Sequence, residues 1–274
     1  MKHPIYKSPP IKTLVSNGNF YPVFSETDDY INNYDQISAD HLAVFEKDGI
    51  NPFMEENFWH ESEEITANLV RKVTLHGDRL LDVGCGMGRL LAKLPDYERY
   101  GMDISSAYLN YASKVGAEIC LSKVEDMPYQ DNFFNAVVCT DVLEHVLDIN
   151  AAVTQLFRVV KPAGHLIIRV PFRENLEPYL SPEYPYQMAH LRNFDEHSLR
   201  LLFEKIFNGK VIDDIRGPYL EYLAYFKWPI KVRGLNFLVK NGLRVCAWIS
   251  PNFKQRIVKN IFQPVEITVV IKKL

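Results

Sequence analysis

The stretch that most limits what this chain can become is Leu80-Leu81-Asp82-Val83-Gly84-Cys85-Gly86-Met87-Gly88, followed by Arg89-Leu90-Leu91-Ala92-Lys93-Leu94. A short apolar run stops at an acid and a Gly-x-Gly-x-Gly turn, and apolar residues then recur at helical spacing. The period therefore changes from about 2 to about 3.6 across the glycines. That pattern reads as strand, tight loop and helix. Glycines in such a loop permit positive φ and let a ligand approach the main chain with no Cβ in the way.

Two details narrow the ligand. Dinucleotide sites carry Gly-x-Gly-x-x-Gly at this point of a βαβ unit, whereas here the third glycine, Gly88, comes one residue early. Asp82, at the mouth of the turn, would repel a pyrophosphate and hold an ammonium group. A second acid, Asp103, ends the next apolar stretch, Tyr100-Gly101-Met102-Asp103-Ile104, where a carboxylate accepts from both hydroxyls of a ribose. An amino-acid group joined to an unphosphorylated ribose points to S-adenosylmethionine (SAM).

On these residues the chain resembles the class I SAM-dependent methyltransferases, from about Asp82 to Phe207. Leu81 to Gly88 is similar to the family's first motif and Gly101-Met102-Asp103-Ile104-Ser105 to its second. Val124-Glu125-Asp126-Met127-Pro128-Tyr129 is similar to the adenine-side loop, and Asp131 to Val146 to the fourth strand and the helix after it. Val159 to Pro171 matches the fifth-strand hairpin. Within the family, the ubiquinone-biosynthesis enzymes and their small-molecule relatives are the nearest subgroup. The resemblance implies a Rossmann-like, doubly wound α/β fold with a seven-stranded sheet and an antiparallel last strand. It also implies a SAM site made by Asp82, Gly84, Cys85, Gly86, Gly88, Asp103, Ile104, Val124, Glu125, Thr140 and Asp141. Relatives often carry an acid where this chain has Lys123, so adenine recognition falls to the Val124 backbone and Glu125.

Methyl transfer to a hydroxyl requires a base, and the candidates are His145, expected at the start of the helix after the fourth strand, and His190, in a loop over the acceptor site. The reading is of an enzyme acting on a small-molecule or lipid- or sugar-linked acceptor, at oxygen, without a metal. Asp141-Val142-Leu143-Glu144-His145 does resemble the Glu-x-x-Glu-His metal sequence of ubiquinone O-methyltransferases, with Asp141 and His145 one helical turn apart. The rival readings are a non-catalytic SAM-fold partner subunit and a nicotinamide-dependent oxidoreductase.

The rest of the chain sets the surroundings. Its 274 residues suffice for one domain with extensions, and a net charge of −3 argues against a general nucleic-acid binder. Four cysteines without Cys-x-x-Cys spacing read as free thiols in a reducing compartment. The start Met1-Lys2-His3-Pro4 leads into no apolar core of a signal peptide, and no apolar run is long enough to span a bilayer. A cytoplasmic location is therefore expected. Residues 1 to about 28, rich in Pro, Ser, Asn and Lys, read as a loosely ordered leader, and two helices, Asp29 to Gly49 and Glu56 to Val73, complete an N-terminal unit over 1–75. The α/β core occupies 76–217, with Asp195 capping a helix Glu196 to Phe207. A last strand fills 265–274. Between them, 218–264 forms an insertion. From Pro218 to Phe262, eight basic residues face Glu221 alone, so +7 there leaves −10 on the rest. Nine aromatic residues are interleaved, among them Tyr219, Trp228, Trp248 and Phe253. Such a segment fits peripheral contact with a membrane surface, a substrate lid or a homodimer contact equally.

Overall fold

The computed structural model describes residues 5–16, 18–53, 55–220 and 235–274. Its framework is one mixed sheet. The strands in chain order are β1 (Lys12–Ser16), β2 (Asn19–Val23), β3 (Arg79–Val83), β4 (Glu98–Asp103), β5 (Glu118–Leu121), β6 (Phe134–Thr140), β7 (Val160–Pro171), β8 (Gly209–Arg216) and β9 (Glu266–Lys273). They lie in the order β1-β2-β5-β4-β3-β6-β7-β9-β8. β3 to β7 are mutually parallel, while β9 runs antiparallel to both β7 and β8. The chain leaves β3 toward β4 and β5, then returns to the other side of β3 as β6, so the strand order switches there. A crevice opens at that switch point, beyond the carboxyl ends of the strands.

The expected sheet of seven strands with an antiparallel last strand is present, extended by a hairpin at one edge. Lys12–Ser16 and Asn19–Val23 pair antiparallel around Gly18, whose φ of 78° suits a tight turn. The described residues of what the sequence suggested was a loosely ordered leader are thus paired with the core, this hairpin with β5 and Tyr6 in a bridge with Tyr129. Tyr21 and Val23 alternate into the core beside Leu121, and Phe24 N–H donates to the Leu121 carbonyl at 2.8 Å. The hairpin thereby covers the β5 edge, which would otherwise present unpaired backbone groups.

Helices α1 (Asp29–Asp48) and α2 (Glu56–Val73) form as their periodicity requires. Asp28 caps α1 by accepting from Ile31 N–H at 3.0 Å, and Gly49 ends it at φ 68°. Next come α3 (Arg89–Ala92), α4 (Ser106–Ala112) and α5 (Ile149–Val159). Asp195 caps α6 (Glu196–Arg200) in a capping box with Ser198, and the chain then widens into a π turn over Leu201–Ile206 instead of continuing as one α-helix. Of the insertion, Leu235–Ile249 (α7) and Pro251–Ile261 (α8) are helical, while Glu221, Lys227, Trp228, Lys231 and Arg233 lie outside the described residues.

The two-residue period of the strands decides which side chains meet on each face. Leu81 and Val83 of β3, Ile168 of β7 and Ile267 of β9 point into one core layer, and Leu80, Ile167 and Val270 into the other, with Val70 of α2. Alternation therefore sends Asp82, Arg169, Glu266 and Thr268 to the α2 face, all of them buried. Four polar side chains inside a sheet must be balanced by partners or by a ligand.

Candidate active site

A cavity of about 1090 Å³ opens over the strand ends. Asp82, Gly84, Cys85, Gly86, Asp103, Ile104, Val124, Glu125, Thr140, Asp141, His145 and His190, drawn from five separate stretches of sequence, all line it. Gly88 does not. It precedes α3 at φ 78°, and a Cβ there would stand 3.1 Å from the Ala112 Cα, so it serves the close packing of α3 on α4. Gly86, at φ 51°, has open space where a Cβ would go, as a backbone approached by a ligand requires.

The two carboxylates of the glycine bend are held differently. Asp103 accepts from Gly86 N–H and Ser105 N–H, each at 2.8 Å. Burial raises its pKa, and these backbone donors oppose the rise. Asp82 is also buried, but its Oδ1 has no partner. Burial, and then the charge of Asp103, push the Asp82 carboxyl up to about 8. An acid left in this condition is a place for an ammonium group. Glu125, with a buried Oε2 that lacks a partner, lies beside Val124 on the adenine side, and burial raises its pKa. Lys123 pairs instead with Asp28 at the head of α1.

Beneath Asp82 lies a group that local sequence pattern did not single out. Arg169 is buried, donating to Asp141 Oδ2 at 2.5 Å and to Thr66 Oγ1 at 3.1 Å, with Glu266 Oε2 3.3 Å from its Nε. Burial works against its charge, but Asp141 and Glu266 outweigh that and raise its pKa. Glu266 is pushed up to about 7 by burial, with Arg169 opposing. Trp59 adds a buried Nε1 with no acceptor, and Glu63 lines the same end. Glu63 is paired with Arg89 at 2.8 Å and Glu266 accepts from Ser62 at 2.8 Å, so the cation Arg169, the free indole donor and the unpartnered Oδ1 of Asp82 are what suit a zwitterionic amino-acid group. The signal was present in outline: Arg169 interrupts the apolar run Leu166-Ile167-Ile168 before Val170, and Glu266 separates Val265 from Ile267, inside otherwise apolar strands.

The opposite wall comes from α1 and the chain from Phe172 to Phe194. His145 sits in a turn before α5, not at a helix start, and Asp141, at φ 56°, is committed to Arg169. The expected helical face of Asp141, Glu144 and His145 is therefore not assembled. Instead, ligand-capable atoms of Glu144, His145 and His190 lie within 4.8 Å of one another. Burial, and next His190, hold His145 down to about 3, so it stays neutral. Burial, and then Asp141, raise Glu144 well above the carboxylate range, and neither of its oxygens has a hydrogen-bond partner. His190 is engaged by Glu174 at Nδ1, with Tyr179 Oη 3.2 Å from the same nitrogen. Tyr179 Oη donates to Glu174 Oε1 at 2.7 Å. Glu174 and Tyr179 left no pattern in the sequence by which to find them.

The sheet order and the glycine bend define a Rossmann-like fold, with the paired acids on the cavity at its switch point. Residues 81–168 match the family model described as a methyltransferase domain. Among curated proteins, the chain is 37% identical over 115 residues to a ubiquinone biosynthesis O-methyltransferase of Alkalilimnicola ehrlichii, covering 39% of this chain and 46% of that one. It is 35% identical over 97 residues to a tRNA (carboxymethyluridine(34)-5-O)-methyltransferase of Arabidopsis thaliana, covering 34% and 24%. The chain thus spans half or less of the length of these relatives. A SAM-dependent methyltransferase from Thermotoga maritima superposes with a TM-score of 0.55 at 17% identity, over 89% of this chain and 99% of that one. A methyltransferase solved with the Haloferax volcanii Trm112 activator gives 0.59 at 15% identity, over 89% and 96%. Residues 81–168 thus match a methyltransferase domain, the chain shares its fold with solved SAM-dependent methyltransferases, and SAM is the cofactor that this match implies.

Proposed function

We propose that the chain transfers a methyl group from SAM to a hydroxyl of a small-molecule or lipid- or sugar-linked acceptor. The reading rests on one observation above others, the His190–Glu174 pair on the cavity wall facing the cofactor side. When bound, SAM supplies a methyl carbon activated by its sulfonium.

The protein's part is alignment, shelter and proton removal. Asp103 and Glu125 hold the nucleoside, while Asp82, Arg169 and Trp59 receive the amino-acid group. Glu174 fixes the His190 ring with Nδ1 toward itself, which leaves Nε2 to take the proton of a bound hydroxyl. His145, neutral beneath it, and Glu144, a protonated acid, offer hydrogen bonds without competing for that proton. Tyr34, Tyr179 and Tyr184 line the acceptor end and favour a flat or apolar acceptor body, such as a quinone-like ring or a lipid-linked precursor. The enclosure of this cavity by α1 and the Phe172–Phe194 chain argues for such a group over an exposed macromolecular one.

An acceptor screen with methyl-labelled SAM tests this. Transfer to a hydroxyl compound is expected, with His190→Ala lowering kcat by roughly 10²-fold or more while the SAM affinity holds. SAM binding with no turnover on any acceptor, together with tight association to a second protein, would instead make this chain a partner subunit.

A further inference from the structure

The helical hairpin α7–α8 ends in a patch the cavity chemistry does not use. Val245 and Trp248, 57% and 88% exposed, are three residues apart on α7, and Phe253, 48% exposed, lies in the first turn of α8 after the Ser250 cap. Arg244 and Arg256 are exposed on the same two helices. From Leu235 to Phe262 there are five basic residues and no acid, on a chain whose net charge is −3. The hairpin is anchored through the buried Leu243, Val258 and Phe262, so these exposed side chains are what its own core leaves over.

We infer that this hairpin tip docks the protein on an anionic lipid bilayer surface. A tryptophan and a valine gain by entering the headgroup and acyl boundary, and arginines beside them meet anionic lipid. Nucleic acid matches the charge but gives Val245 nothing to bury against. A symmetric second copy would set a patch without acids against itself, and like charges would repel. Gln263, Pro264 and Val265, shortly after α8, line the cavity, so the cavity rim and the docking tip lie at opposite ends of α8, about 16 Å apart along the helix. The docking itself does not depend on the proposed transfer.

The test is cosedimentation of the full chain with vesicles of phosphatidylcholine alone or with phosphatidylglycerol added, in low and high salt. SAM affinity, measured on each variant, reports that the fold is intact. Binding only to the anionic vesicles, weakened by salt, is expected. Trp248→Ser and the double variant Arg244→Gln/Arg256→Gln should each reduce it roughly tenfold with SAM affinity unchanged. Binding equal in these variants, no vesicle binding, preference for single-stranded RNA over vesicles, or a dimer in sedimentation velocity that Trp248→Ser dissociates would each overturn the proposal.

Discussion

The two walls of the cavity hold their charges by different means. On the β3–β4 wall, Asp103 is secured by backbone N–H groups of residues near it in sequence or across one strand, Gly86 and Ser105. On the α1 and Phe172–Phe194 wall, backbone ties such as Leu191 N–H to the Glu144 carbonyl at 2.8 Å are joined by side chains that reach distant partners. Asn33 exchanges two hydrogen bonds of 2.9 Å with the Met188 backbone, Tyr186 Oη donates to Asp40 at 3.0 Å, and Glu174 holds His190. The first wall is therefore rigid wherever the sheet is formed. The second is completed only once α1 is seated, through Asn33 and Asp40, and on the proposed function it is the wall that meets the acceptor.

If that contrast is right, damage to the first wall should be felt by SAM and damage to the second by the acceptor. Asp103→Ala removes a charged acceptor and orphans two buried backbone donors, each costing about 1–3 kcal/mol, and should weaken SAM binding by about thirtyfold or more. Calorimetry checks it, and unchanged affinity would remove the ribose assignment.

A pH effect sharpens the same wall. The folded, ligand-free Asp82 keeps its proton up to about 8, while the unfolded chain gives it up near 3.8. Between these values the folded state binds more protons, so this residue's contribution to stability falls as pH rises and levels off above about 8. A ligand bearing an ammonium favours the ionised carboxylate, so SAM affinity should rise with pH between about 6 and 8, approaching tenfold per unit. Asp82→Asn should flatten both slopes in titrations and denaturant melts; a slope retained in that variant would assign the proton to another group.

The smallest expected effect tests the second wall. Asn33→Ala removes a pair of hydrogen bonds worth about 1 kcal/mol net and should raise KM for the acceptor about fivefold without changing SAM affinity. A matching loss of SAM affinity would mean that the walls are not independent.

The glycine bend, Asp82, Asp103 and the succession of strands were legible because they are local: a period change, turn residues and an acid at a strand end lie within a few positions of each other. The hairpin Lys12–Val23 was not, because its strands owe their order to the β5 edge they cover rather than to their own composition. Gly88 looked like a ligand contact but answers to Ala112, a neighbour visible only when α3 and α4 pack. His145 and His190 were found singly. That one stays neutral under burial while the other is oriented by Glu174 depends on residues brought together across the fold.

By itself, then, the sequence determined the sheet-and-crevice framework and the two acids at its first turn, since these stem from periodicity and backbone conformation. Only the tertiary structure decided the Arg169, Asp141 and Glu266 cluster and the His190–Glu174 pair. Their chemistry comes from the loss of water around charges whose partners are far apart in the chain, and desolvation is a property of the packed molecule rather than of any segment.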